Sequence, residues 1–362
     1  MFFFFASKVG VDQAVYEVKN HFLNRRLKMN NTNKNRRKIL GIGAAASLGT
    51  MLPMGTPLFA QSKKTVIRLA DQAGAEVDYA AIWVAENQGY YDQEGIQIDR
   101  RTYPNGPASL LDLNKNLDAV MCGLAPIMQY AAGGGQFSML CSVTKYNAPL
   151  VGHKQFKSYA DLNGKKVGTP GLGTIHDAIL FYVEKTQNLK FQKVPGRVGD
   201  IAAMLDRGEV DAFIAWEPAS ALAVSKAKDT HYIVQLPPIP NAESLDLVFH
   251  PAFIKDNPDT VVRFLRATLK GMNFIKTKPK DDVAEIVAKK MNDPTAKPVA
   301  LMALNSVLLT DPRLDMPSTR LILKTISEQG KIDPALVANT DAWVGKYLDY
   351  SFLDKAEKSL KG

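Results

Sequence analysis

The stretch LDRGEVDAFIAWEP, residues 205–218, has an echo in LNKNLDAVMCGLAP at residues 113–126. Each leaves a helix through a polar turn and enters an apolar strand that opens Leu/Val-Asp-Ala. Each then reaches a proline, Pro218 or Pro126, that suits the first turn of a following helix because its missing N–H has no partner to lose there. The two turns differ by one residue. Two copies of one strand-to-helix device predict two lobes of like construction.

The flanking sequence agrees. TVIRLAD, IQIDRRTY, LDAVMCG and FSMLCSVTK read as strands, separated by helical patterns in YAAIWVAENQGYY, PASLLDLNKN and APIMQYAAGG. In the first of these helices Ile82, Trp83 and Ala85 face inward and Gly89 ends the run. A second series starts after about residue 151, with strands in GKKVGTP, KFQKVPG, VDAFIAW and HYIVQL. Alternating strands and helices predict an α/β fold with mostly parallel, twisted sheets. The proline-rich PPIPNAESLDLVFH then returns the chain to the first lobe, and from Pro258 the pattern is a helical tail. The expected organisation is an upstream extension at 1–28, an export signal at 29–60, lobe 1 at 61–150, lobe 2 at 151–238, and the return with its helical C-terminal tail at 239–362.

In GTPGLGTIHDAILFYVEKTQN, residues 168–188, a glycine-rich turn runs into an amphipathic helix. Thr174 stands at the N-cap and Asp177 follows three residues later, a short version of the capping box. Ile175, Ala178, Ile179, Tyr182 and Val183 recur at helical spacing, and Asn188 is a stop. The free N–H groups of the helix start favour partial negative charge, and His176 lies at the same spot. A tight turn with an incidental histidine is the plain alternative.

The chain has 362 residues and a formal net charge of +9. Residues 1–60 hold nine Lys/Arg and two acids, which leaves 36 basic against 34 acidic residues beyond them. The basic excess is therefore N-terminal, and no concentrated footprint for nucleic acid follows. NKNRRKILGIGAAASLGTMLPMGTPLFAQ reads as an export signal cleaved near Ala60, with Arg36-Arg37 as in a twin-arginine signal, although the general secretory route stays open. Met29 would open such a signal naturally. Cys122 and Cys141 leave pairing open, burial being the commoner fate. No CxxC, HExxH or His/Cys cluster supports a metal site.

The order GYYDQEGIQI, LDAVMCG, DLNGKKVGTPGLGTIHDAIL, VDAFIAWEP resembles ABC-transporter solute-binding proteins of the aliphatic-sulfonate, taurine and nitrate group, related to the thiamine-pyrimidine precursor binders. The resemblance spans roughly residues 65–290. It implies a two-lobed periplasmic-binding-protein fold of type 2. It further implies hinge crossings near 146–152 and 237–247, a small-molecule ligand between the lobes, and delivery by a monomer to an inner-membrane permease with its cytoplasmic ATPase. No cofactor, no metal and no nucleic acid is expected.

Site residues follow from the resemblance. Glu76, Asp78 and Tyr79 lie in the loop after the first strand, where Asp78 and Tyr79 fit an N-cap and a core aromatic equally well. Gly123 and Ala125 form a second contact. Tyr146 and Asn147 stand at the first crossing. Gly173, Thr174 and His176 match the turn that receives the anionic end in sulfonate-type members. Trp216 and Glu217 match a strand-end tryptophan and acidic-Pro turn, where Trp216 would cover an apolar ligand body. Apart from Lys145 these loops hold no cation, and Glu76 and Glu217 would repel a simple anion and suit an amine or zwitterion. A sulfonate, taurine or nitrate, a pyrimidine precursor, or another heterocycle or amine all remain open. A sensor partner of the same fold is a second reading. An enzyme of the pyrimidine-synthase type is disfavoured by the missing cysteine cluster, GxSxG and P-loop.

Overall fold

In the computed structural model, residues 64–291, 296–307 and 311–361 are described. The expected extension, export signal and cleavage point lie outside them. The strands are β1 (Thr65–Gln72), β2 (Ile96–Tyr103), β3 (Ala119–Cys122), β4 (Ser138–Lys145), β5 (Leu150–His153), β6 (Lys166–Thr169), β7 (Gln192–Pro195), β8 (Ala212–Ile214), β9 (Thr230–Val234) and β10 (Glu243–Phe249). They form two five-stranded sheets, ordered β2-β1-β3-β10-β4 and β7-β6-β8-β5-β9.

The repeated Leu/Val-Asp-Ala segments hold equivalent places. Ala119 of β3 lies opposite Leu69 of β1, and Ala212 of β8 lies opposite Val167 of β6, both in parallel register. The preceding aspartates make the same clamp. Asp118 and Asp211 each accept a backbone N–H from the neighbouring strand, that of Arg68 at 2.8 Å and that of Lys166 at 2.9 Å. Each also donates its own N–H to that residue's carbonyl. Pro126 falls in the first turn of the helix Leu124–Ala132, as its third residue, whereas Pro218 sits three positions earlier in its own helix, at the N-cap of Ala219–Lys226.

The parallel character holds for only half of each sheet. β10 runs antiparallel to β3 and β4, and β5 runs antiparallel to β8 and β9, so both sheets are mixed. The reason is connectivity: β10 enters its sheet from the other lobe, and β5 does likewise. The resemblance placed the first crossing near 146–152, yet Leu150–His153 is β5. The crossing chain is thereby shortened to 146–149.

The tail does more than cover lobe 1. Pro258–Thr277 packs on Ala80–Asn87. Ala296–Ala303 packs on Ala219–Lys226 of lobe 2, and Met316–Glu328 touches helices of both lobes, Leu124–Ala132 and Ile175–Gln187. The buried apolar residues fall into two clusters that each draw on both sheets. Cys122 and Cys141 are buried free thiols. Among the described residues no helix is long and apolar enough to cross a membrane.

Gly271 marks the tightest helix contact. A methyl there would run into the carbonyl of Ala81 and stand 3.2 Å from the Ala85 side chain. Gly271→Ala is expected to cost about 1–3 kcal/mol by overpacking, read as a fall in Tm in a thermal melt. An unchanged Tm would show that the two helices can separate freely.

Candidate functional site

The carboxyl ends of the mutually parallel strands β1, β3, β6 and β8 turn toward one interface, the usual ligand position in open α/β sheets, and the amino end of β10 reaches it through Ser244. The lobes meet there through side chains. Trp216 Nε1–H donates across to the Ala73 carbonyl at 3.3 Å, and Gln129 Nε2–H to the Gly173 carbonyl at 2.9 Å. The tail adds two bonds to lobe 2: Gln329 Nε2–H to Asp177 Oδ2 at 2.9 Å, and Ser306 Oγ–H to Glu217 Oε1 at 3.0 Å. At the centre of that interface remains a cavity of only about 10 Å³, room for roughly one water, so a ring-sized ligand enters there only once the lobes part.

Asp78, Gly123, Thr174, His176 and Trp216 line that cavity, joined by Gln72, Cys122, Ile175 and Ser244. Thr174 is the expected cap: its Oγ1 accepts the Asp177 N–H at 3.3 Å and donates to the Gly171 carbonyl at 2.8 Å. Asp177 reaches back to the Gly173 N–H at 2.9 Å, one residue beyond the usual capping-box partner. The turn is thus fixed before any ligand arrives. Gly173 has φ +81°, and a Cβ there would press on Gln129. Gly123 meets Ile175 of the other lobe, where a Cβ would stand 3.1 Å from its side chain.

Asp78 is buried beside this interface. Its Oδ2 accepts the Ser244 hydroxyl at 3.0 Å, and its Oδ1 has no hydrogen-bond partner among the described residues. Burial pushes its pKa up to about 7, against the opposing pull of Asn147, Ser244 and Thr144. His176 is also buried. Its Nε2 lies 3.3 Å from the Asn147 carbonyl, and burial lowers its pKa to about 4. The ring is therefore neutral at pH 7. Nε2–H faces a carbonyl, so Nδ1 is left as a bare acceptor, and it too is unpartnered. The cavity wall thus offers two buried polar atoms without partners among the described residues: His176 Nδ1, an acceptor, and Asp78 Oδ1, an acceptor once its carboxyl is ionised. Its tilted indole neighbour, Trp216, lies 5.4 Å from the His176 ring.

Asn147 links these groups without lining the cavity. Its Oδ1 accepts the Glu217 N–H at 2.8 Å, and its Nδ2 has no partner among the described residues. Other sequence candidates lie elsewhere. Tyr79 is a core aromatic, 1% exposed, whose hydroxyl donates to the Met121 carbonyl at 2.7 Å. Glu217 does not line this cavity: its carboxylate accepts the Ala221 N–H, the Tyr232 hydroxyl and the Ser306 hydroxyl, and burial raises its pKa to about 7. Ala125 is buried in its helix, and Tyr146, at φ +76°, stays at the crossing. Glu76 faces a separate, larger cavity. Lys145 donates to the Arg313 carbonyl. Gln72 and Ser244 went unassigned because a strand end and a proline-rich return carry no motif.

A family model described as NMT1/THI5 like matches residues 76–282, more than half of the sequence. The chain belongs to the NMT1/THI5-like family. Among curated relatives, a binding protein of Brucella abortus (strain 2308) is 27% identical over 241 residues, 62% of this chain and 73% of the relative. A 4-amino-5-hydroxymethyl-2-methylpyrimidine phosphate synthase of Aspergillus parasiticus is 23% identical over 59% of this chain and 67% of its own. A formylaminopyrimidine-binding protein of Halalkalibacterium halodurans is 24% identical over 55% and 62%. Solved structures share the fold. The nitrate-binding protein NrtA of Synechocystis PCC 6803 aligns with TM-score 0.66 at 13% identity, covering 82% of this chain and 89% of its own. The alkanesulfonate-binding protein SsuA of Xanthomonas axonopodis pv. citri aligns with TM-score 0.63 at 15% identity, covering 75% and 94%. The two-lobed periplasmic-binding-protein fold and the family fit a solute-binding protein of the ABC-import type.

The buried carboxyls give a pH prediction. Asp78, Glu217 and Glu243 each have a folded-state pKa raised to about 7, chiefly by burial. The folded state then binds more protons than the unfolded state between about pH 4 and 7, so stability falls as pH rises through that window. Tm is expected to climb from pH 8 to pH 5, and Asp78→Asn to flatten the climb. A Tm that falls over this range would contradict the assignment.

Proposed function

We propose that this protein is the solute-binding component of an ABC importer, and that its ligand presents N–H donors, as an aminopyrimidine or similar amino-heterocycle does. The observation that carries the ligand class is the pair of unpaired acceptors at the cavity, Asp78 Oδ1 and His176 Nδ1. A buried unpaired acceptor costs about 1–3 kcal/mol, more when charged. A ligand N–H removes that cost, whereas a sulfonate or nitrate adds further acceptors. The helix starts at Leu124 and Ile175 offer an anion free N–H groups, but His176 is neutral and Lys145 is engaged elsewhere. The Trp216 ring supplies a flat surface for a heterocycle.

The ligand would be captured in the periplasm and handed to a membrane permease after export directed by residues 29–60. A synthase reading has less support. Cys122 is the only thiol at the cavity among the described residues, and burial with nearby Asp246 holds it far above the usual thiol range. Such a thiol is a poor nucleophile.

The test strips carried ligand by unfolding and refolding, then compares 4-amino-5-hydroxymethyl-2-methylpyrimidine, taurine and an alkanesulfonate by thermal shift and calorimetry. The pyrimidine is expected to raise Tm. Asp78→Asn is expected to weaken it about tenfold or more, as loss of a hydrogen bond to a charged group implies. Binding of the sulfonate alone, untouched by Asp78→Asn, would overturn the ligand class.

A further inference from the structure

Behind Trp216 lies a second chamber that the proposed function does not use. Its volume is about 260 Å³, against about 10 Å³ for the inner cavity. Gly74 and Glu76 of lobe 1 form one wall, and the helices Val198–Asp206 and Ala219–Lys226 of lobe 2 form the other. The partition is the inter-lobe contact already described. Trp216 lines the inner cavity, its Nε1–H reaches the Ala73 carbonyl, and a Cβ on Gly74 would stand 3.9 Å from that same nitrogen. The indole thus lines the inner cavity and stands beside Gly74, which lines the chamber.

We propose that this chamber is a separate binding subsite for a small organic ammonium with a ring-sized apolar body. A dry cavity of about 150 Å³ already accepts benzene, so the space is ample for one ring. Ala202, Ala219 and Leu222 give it apolar walls, while Glu76, Asp206 and Lys226 supply two carboxylates against one ammonium. Glu76 is the polar anchor. Burial and the neighbouring Asp71 push its carboxyl above the ordinary range, and no basic group pulls it back. An ammonium placed in the chamber would supply the missing opposite charge.

The inference rests on the reading of the lobes as a ligand-binding pair, but it uses different residues from the inner cavity, so the two fail separately. The experiment titrates the full chain with benzylamine, benzyl alcohol and benzoate by calorimetry. Gly199 lines the chamber, and a Cβ there meets no atom within 4 Å. Gly199→Leu therefore fills the space without a clash at its first atom. The expected result is saturable benzylamine binding, weakened about tenfold or more by Gly199→Leu and severalfold by Glu76→Gln, with benzoate bound least. Pyrimidine binding at the inner cavity should change less than about twofold in Gly199→Leu. If Gly199→Leu fails to melt cooperatively, Ala202→Leu replaces it. No saturable benzylamine binding, or binding indifferent to both substitutions, or benzoate bound as tightly, would overturn the subsite. Loss of pyrimidine binding with benzylamine intact would sink the proposed function and leave the subsite standing.

Discussion

The arrangement depends on Asn147, a wholly buried residue at the first crossing between the lobes. Its side-chain oxygen holds the Glu217 N–H at the end of β8, and its carbonyl faces His176 Nε2. It also pulls on the Asp78 carboxyl of the first lobe. A single crossing residue thus sets the His176 tautomer and touches both lobes. Buried polar networks of this kind are rigid when satisfied and costly when broken. The Glu217 side chain extends the same network to Tyr232 and, through Ser306, to the tail.

Burial disfavours the charged form of the carboxyls gathered near the cleft. On β10, Glu243 and Asp246 are fully buried, and both carboxyls are pushed up by burial. Asp246 has no hydrogen-bond partner for either oxygen among the described residues, and Glu243 Oε1 accepts only the Asp315 N–H. β10 also carries Ser244, which bonds Asp78. Ionising any of these carboxyls is therefore costly unless a partner supplies a hydrogen bond or a positive charge.

Much of the fold was legible because its signals are local. Helix periodicity, the Thr174 cap and the repeated Leu/Val-Asp-Ala segments each act within a few residues. β5 was missed because four residues following Pro149 carry no alternation and gain strand character only by pairing with β8 and β9. The antiparallel half of each sheet was hidden for the same reason: it is made by chain crossings, which leave no periodic trace. At the site, Asp78, Thr174, His176 and Trp216 were readable as polar or aromatic residues at strand and helix ends. Tyr79 and Glu217 have residue types that suit a ligand, while only the tertiary structure shows the Met121 carbonyl and the Ala221 N–H that engage them. Ser244 was beyond reach, because its partner Asp78 is distant in sequence.

The central claim is that Asp78 accepts a ligand N–H as a carboxylate. With a pKa of about 7, Asp78 is mostly protonated at pH 6 and must lose its proton to do so. The decisive measurement is the proton balance of aminopyrimidine binding at pH 6, obtained by calorimetry in buffers of different ionisation enthalpy. The wild-type protein is compared with Asp78→Asn, which cancels protons exchanged by the ligand itself. The account predicts that the wild type releases more protons than the variant, by most of one proton per ligand bound. Equal release, or net uptake relative to the variant, would contradict it.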